Sequence, residues 1–346
     1  MGHRPRAGSG QSSIRSILAF ADSPPASWRP PLSWRAWTLL TVSTIAVYAN
    51  SLPNGFHYDD LSMIVNNPAV HDLGRLGSHF VSVTAGNQEE EPSFRPLVMA
   101  SYVLNYAVGS TNPVGYHAVN IGLHVVMSAF VLLLVWQLTA NAHGAFWAGL
   151  FFALHPIQTE AVNYITARSS IMYSAGSLAA LLSFIRYRRD GGWWRLGTGL
   201  LAYAAALLSK EAAAVVPLLL VAYDVLSRRG SGSRTRRIMA HVPFWLLTGG
   251  FVLLRQTILG SVIPQAVYND RLTVGLTFAA IVSQTLAAQL VPVDLSLSHA
   301  FGPIRQLSPA ALVPVAVLVA MAGVSVFARQ ALPLAALAAA WFPTTL

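Results

Sequence analysis

No cysteine occurs in the 346 residues, so neither a disulfide framework nor a thiolate metal site is available, and the redox compartment stays open. Acid is scarce too: 13 Asp and Glu stand against 22 Lys and Arg, for a formal net charge of +9. Only 10% of residues are charged while 54% are hydrophobic, and mean hydropathy is +0.52. That leaves too little polar surface to coat a soluble globule of this size, so the composition specifies an integral membrane protein. The surplus arginines sit in connectors between apolar segments, where they act as topology determinants, and nucleic-acid binding is not expected.

Apolar windows of about 20 residues recur along the chain, the pattern of helices and not of alternating barrel strands. The expected fold is all-α, a polytopic transmembrane helical bundle of about 9 to 10 membrane segments. Residues 1–35 carry Arg4, Arg6, Arg15, Arg29 and Arg35 among Pro, Gly and Ser and read as a disordered basic cytoplasmic tail with no evident signal peptide. A first span over 36–52 then leads outward into an exoplasmic loop, 53–95. A short interfacial helix is expected over 99–108, and spans over 116–138, 145–154, 171–185, up to 208, 212–226 and 238–254. The arginine-rich connectors at 186–189 and 228–237 mark the inside. Beyond residue 273 the topology stays open: 274–290 either crosses or lies on the outer face, and 310–327 and 331–342 are further spans.

Three polar motifs fall on the same, outer side by the charge rule. Asp59 and Asp60 follow the first span in Phe56-His57-Tyr58-Asp59-Asp60. His155-Pro156 begins a segment running through Glu160 to Arg168, and Lys210-Glu211 joins two spans. A reaction on a lipid-borne group needs a carboxylate to take a proton from an acceptor hydroxyl, and cations to hold a departing phosphate. Asp59 or Asp60 suits the first role; Arg95, Arg168 and Lys210 suit the second. Each motif also has a plain structural use: a solvated loop or cap for the Asp pair, a helix stop for His155-Pro156, snorkelling charges for Lys210-Glu211. His57, His71, His79, His117 and His124 match no usual ligand spacing, and no metal is expected. A divalent ion at Asp59/Asp60 is conceivable and not favoured. Glu89, Glu90 and Glu91 read as a hydrated loop.

In order, the motifs resemble one family. They are Tyr48-Ala49-Asn50-Ser51-Leu52, Phe56-His57-Tyr58-Asp59-Asp60, Phe94-Arg95-Pro96-Leu97, Gly115-Tyr116-His117-Ala118-Val119-Asn120, His155-Pro156 with Thr159-Glu160-Ala161-Val162, Arg168, and Ser209-Lys210-Glu211. Together they are similar to the membrane portion of the transmembrane, cadherin-targeting O-mannosyltransferases with tetratricopeptide repeats, and of their bacterial relatives, over about residues 36–346. The resemblance implies a GT-C glycosyltransferase fold whose first outer loop carries the catalytic Asp59 or Asp60. It further implies an inverting transfer of a hexose, mannose in that family, from a polyprenyl phosphate to a protein Ser or Thr hydroxyl at the exoplasmic face. Arg95, Arg168 and Lys210 are then the phosphate ligands, Glu160 and Glu211 orient them, and His155 shapes the pocket. The implied partners are membrane lipid, the polyprenyl-phosphate sugar and a protein or peptide acceptor, with no cofactor. The family's repeat domain is not found in these residues, which leaves either a fragment or a catalytic module whose acceptor-binding part is elsewhere. Sparse lysine with abundant Arg, Ala and Gly suits a bacterial inner membrane with the site facing the periplasm. A transporter or lipid flippase, or a nonenzymatic scaffold of the same fold, is the alternative; transporters more often carry their charges at mid-span.

Overall fold

A computed structural model describes residue 25 and residues 27–83, 93–227, 234–260, 270–293, 303–306, 308–327 and 338. Glu89, Glu90, Glu91 and the span expected over 331–342 lie outside the described residues, apart from residue 338. Among the described residues the chain is all-helical, with no strand.

Eleven α-helices follow in order among the described residues: α1 (Trp34–Tyr48), α2 (Pro96–Gly109), α3 (Pro113–Thr139), α4 (Ala142–Leu154), α5 (Gln158–Asn163), α6 (Arg168–Asp190), α7 (Trp193–Leu207), α8 (Val216–Ser227), α9 (Arg234–Leu259), α10 (Arg271–Leu290) and α11 (Pro309–Phe327). Their starts are written in the sequence. Proline occupies the first turn of α2 and α3, where its missing N–H costs nothing, and Asn112, Asn141 and Asp270 cap α3, α4 and α10 with their side chains.

Three stretches are long and apolar enough to cross a bilayer: Pro113–Thr139, Arg237–Leu259 and Arg271–Leu290. Several other helices are shorter. The 13 residues of α4 extend only about 20 Å, less than a hydrocarbon core of about 30 Å. Helix α1 shows how the bundle meets its surroundings: Leu40, Thr44 and Tyr48 are buried on one face, while Leu39, Val42 and Ile45 stand exposed on the others. A helix apolar on both inner and outer faces belongs in lipid, and the molecule is a membrane protein.

Helix α6 is the hub, packed against α3, α7 and α8, while α1 packs on α3 and α4, and α10 pairs with α11. Close approach is bought with glycine at two crossings. A Cβ on Gly176 of α6 would lie 2.9 Å from the Ala202 carbonyl oxygen of α7, and one on Gly149 of α4 would lie 2.8 Å from Leu132 Cβ of α3.

The 23-residue α6, about 34 Å long, separates two chemically different ends. At its C-terminal end Arg186, Arg189 and Arg195 surround Asp190, and Arg188 and His241 both reach Asp224, at 3.0 and 2.9 Å. Trp28, just before α1, stacks under Arg186 here. The three motifs singled out in the sequence converge at the other end, around the first residue of α6.

Candidate active site

Asp60 enters the site from the outer loop on the turn before a π-helical stretch, Leu61–Val65. Its side chain is buried, 1% exposed. Oδ2 accepts the His57 N–H at 3.1 Å and Oδ1 accepts the Thr166 N–H at 2.9 Å, which ties the loop to the 155–168 segment. Burial pushes the Asp60 carboxyl above its ordinary 3.8, and the two N–H donors and His57 offset part of that rise. Asp59 is exposed; its backbone N–H donates to the Tyr164 hydroxyl at 3.1 Å. Burial first, with the nearby Asp59 and Asp60 carboxylates, pushes the Tyr164 hydroxyl up to about 12.

The second grouping joins the start of α2 to the α7–α8 turn. Leu97 N–H donates to the Leu208 carbonyl at 3.1 Å, which sets the Arg95 and Lys210-Glu211 motifs side by side. Arg95 pairs with Glu211 at 3.6 Å. Lys210, the chain's single lysine, donates to Ser170 Oγ at 3.0 Å and lies over the Tyr173 ring. Burial, then the Arg95 charge, pushes the Lys210 ammonium below its ordinary value, while Glu211 and Glu160 pull the other way. Burial raises Glu211, but Arg95 and Arg255 outweigh it and hold the carboxyl below the usual range.

Arg168, the first residue of α6, is held in a way the sequence does not reveal. It is fully buried, 0% exposed. Its guanidinium donates to Asn120 Oδ1 at 2.8 Å, Ser101 Oγ at 3.0 Å, Asn105 Oδ1 at 2.7 Å and the Tyr116 carbonyl at 3.0 Å, and it stacks on Tyr102. All four acceptors are neutral groups of α2 and α3, so the cation is used inside the protein. Tyr102 in turn feels the charges of Arg168, Asp60 and Arg95, which places all three in one electrostatic neighbourhood.

The remaining candidates are peripheral. His155 follows α4, with its Nδ1 accepting the Ile157 N–H at 3.2 Å and its ring edge-on to Phe151. Glu160 is exposed on α5, within electrostatic reach of Lys210. Sequence reasoning passed over Asn120, Tyr102, Asn105 and Thr166 as site residues. The available signal was amides inside strongly apolar helices, which need partners in a membrane protein. Among the described residues no three His, Asp or Glu side chains gather as metal ligands. At the opposite end a groove of about 630 Å³ runs between α8 and α9 beside Asp224 and His241.

Fold and site together describe a helical membrane protein with a desolvated carboxylate, a lysine and an arginine–carboxylate pair grouped at one end. Its curated relatives carry names that fit this class. The protein O-mannosyl-transferase Tmtc1 of Drosophila melanogaster is 36% identical over 188 residues, 53% of this chain and 22% of that protein. The protein O-mannosyl-transferase TMTC3 of Homo sapiens is 31% identical over 273 residues, 73% of this chain and 30% of that protein. The protein O-mannosyl-transferase F38B6.6 of Caenorhabditis elegans is 28% identical over 283 residues, 78% of this chain and 40% of that protein. The resemblance carried by the motifs is thus shown: the curated relatives are TMTC-type protein O-mannosyl-transferases, of whose length this chain spans from about a fifth to two fifths. No model of a protein family matches the chain, and no solved structure does.

Proposed function

We propose that the chain is the membrane portion of an inverting glycosyltransferase of GT-C type, with 9 to 10 membrane segments. It moves mannose from a polyprenyl phosphate to a Ser or Thr hydroxyl of a protein at the exoplasmic face. The observation that carries this reading is the convergence of Asp60, Arg95, Lys210 and Glu211 at one end of α6, in a chain whose relatives are named protein O-mannosyl-transferases. Asp60 is the general base: it takes the proton of the acceptor hydroxyl as that oxygen bonds to the anomeric carbon. The bond from that carbon to the phosphate oxygen breaks, and polyprenyl phosphate leaves with the electron pair. A carboxyl raised by burial suits this role, because a base works best with its pKa nearer the working pH. Asp59, exposed, flanks the acceptor's approach. Arg95 and Lys210 receive the phosphate, Glu211 and Glu160 orient them, and His155 shapes the wall. Arginine at the opposite end supports a cytoplasmic location for that end by the positive-inside rule. The composition supports a bacterial inner membrane with the site toward the periplasm.

Reconstitution with labelled polyprenyl-phosphate mannose and a panel of Ser- and Thr-containing peptides tests the proposal. Glycopeptide is expected, with free polyprenyl phosphate released in equal amount. Movement of lipid or solute across the vesicle without glycopeptide overturns the assignment in favour of a transporter.

A further inference from the structure

On its buried side Asp60 is held by a peptide group, that of Ile165–Thr166. Thr166 N–H donates to Asp60 Oδ1 at 2.9 Å. The carbonyl of the same peptide unit, that of Ile165, accepts from the Tyr102 hydroxyl at 3.3 Å and from Asn120 Nδ2 at 3.4 Å, besides the backbone N–H of Arg168 that closes the local turn. A trans peptide is planar with C=O and N–H pointing in opposite directions, so donors fixing the carbonyl aim the N–H. Hydrogen bonds at the carbonyl also polarise the unit and strengthen its N–H as a donor.

Asn120 itself has no freedom to turn. Arg168 Nε is a donor only, and it meets Asn120 Oδ1 at 2.8 Å. The amide nitrogen must therefore face the other way, where the Val162, Tyr164 and Ile165 carbonyls accept it at 3.3, 3.3 and 3.4 Å. Asn120 is fully buried and Arg168 likewise, so water does not compete for these bonds.

We propose that Tyr102 and Asn120 are positioning residues for the Asp60 carboxylate, acting through the Ile165–Thr166 peptide, with Arg168 fixing the orientation of Asn120. This rests on the reading of Asp60 as the base, and it gives Arg168 a place behind the reacting groups and not on the phosphate. The other charged or titratable groups acting on Asp60 or its neighbours are His57 and Asp59 on its own loop, Arg95 just before α2, Tyr164 from the 155–168 segment and Arg168 at the start of α6. Tyr102→Phe keeps the ring beneath Arg168 and alters none of them.

The test follows the Asp60 carboxyl directly. The full chain is labelled with ¹³C-aspartate, placed in lipid nanodiscs and titrated by infrared spectroscopy, and the Asp60→Asn spectrum is subtracted to assign the band. Loss of a donor disfavours the ionised form, so Tyr102→Phe is expected to move the Asp60 midpoint upward by about half a pH unit, and Asn120→Ala by about one unit, tenfold in the ionisation equilibrium. Thermal unfolding identifies any variant that fails to fold; Tyr102→Phe, which removes only a hydroxyl, serves as the folded case. In the transfer assay the acid limb of kcat/KM moves in parallel, with KM for the donor unchanged. A purely structural role would lower the rate at every pH and leave the limb in place. An unmoved infrared midpoint in folded Tyr102→Phe overturns the proposal. Because the infrared readout needs no turnover, a wild-type chain that transfers no sugar sinks the glycosyltransferase reading separately.

Discussion

Asp60 and Arg168 show how much a residue's surroundings decide. Both were legible as candidates from their motifs, yet burial gives them different characters. The raised Asp60 carboxyl makes a linkage prediction. The folded chain keeps the proton at pH values where the unfolded chain, with its carboxyl near the ordinary 3.8, has released it. The desolvated charge thus weakens the fold progressively as pH rises through the window from 3.8 to the folded value, and the effect is constant above it. Thermal midpoints measured from neutral pH downward should rise for the wild type relative to Asp60→Asn inside that window. Parallel curves would mean that Asp60 is not desolvated. The local sequence does not show which of Asp59 and Asp60 is buried, because one of the two N–H groups that hold Asp60 is that of Thr166, 106 residues along the chain. The sequence offers Arg168 as a phosphate ligand and gives no sign of its burial for the same reason: its acceptors Ser101, Asn105, Tyr116 and Asn120 lie 48 to 67 residues away.

At the level of helices, most of the expected apolar segments coincide with an observed helix, three of them long and apolar enough to cross a bilayer, since apolar runs bounded by Pro, Asn and Arg are local signals. The expected 116–138 became α3 (Pro113–Thr139), and 171–185 became α6 (Arg168–Asp190). The breaks were harder to see. Residues 212–226 begin as a 3₁₀ stretch, Glu211–Val215, before α8, and hydropathy averages over such details. Glycine makes an element-scale prediction with two signs. At Gly176 the Ala202 backbone leaves no room for a side chain, so Gly176→Val should destabilise the α6–α7 pair by about 1 to 3 kcal/mol. At Gly197 of α7 nothing lies within 4 Å, and Gly197→Ala should stabilise by about 1 kcal/mol through helix propensity alone. Thermal midpoints in nanodiscs check both; a stabilised Gly176→Val would contradict the packing described for α6 and α7.

Across the whole molecule, charge is distributed by end. One end carries Arg186, Arg188, Arg189 and Arg195 bound to Asp190 and Asp224, and the other carries Asp60, Arg95, Lys210 and Glu211. That polarity was legible, since clustered arginine in connectors is a composition signal, whereas the contacts across each end were not. The chain has no cysteine, so single introduced thiols report orientation cleanly. Tyr58→Cys, at a position 73% exposed, should react with an impermeant maleimide from outside intact cells, and Trp193→Cys, at a position 84% exposed, only after permeabilisation. Labelling of both from the same side would contradict the two-ended arrangement.

The most direct measurement is single-turnover transfer of mannose from polyprenyl phosphate by wild type and Asp60→Asn, with donor binding measured in the same vesicles. The predicted result is retained donor binding with transfer slowed by about 10² to 10⁴ in Asp60→Asn, the usual contribution of a general base. Transfer at the wild-type rate in that folded variant would remove Asp60 from the chemistry and the account with it.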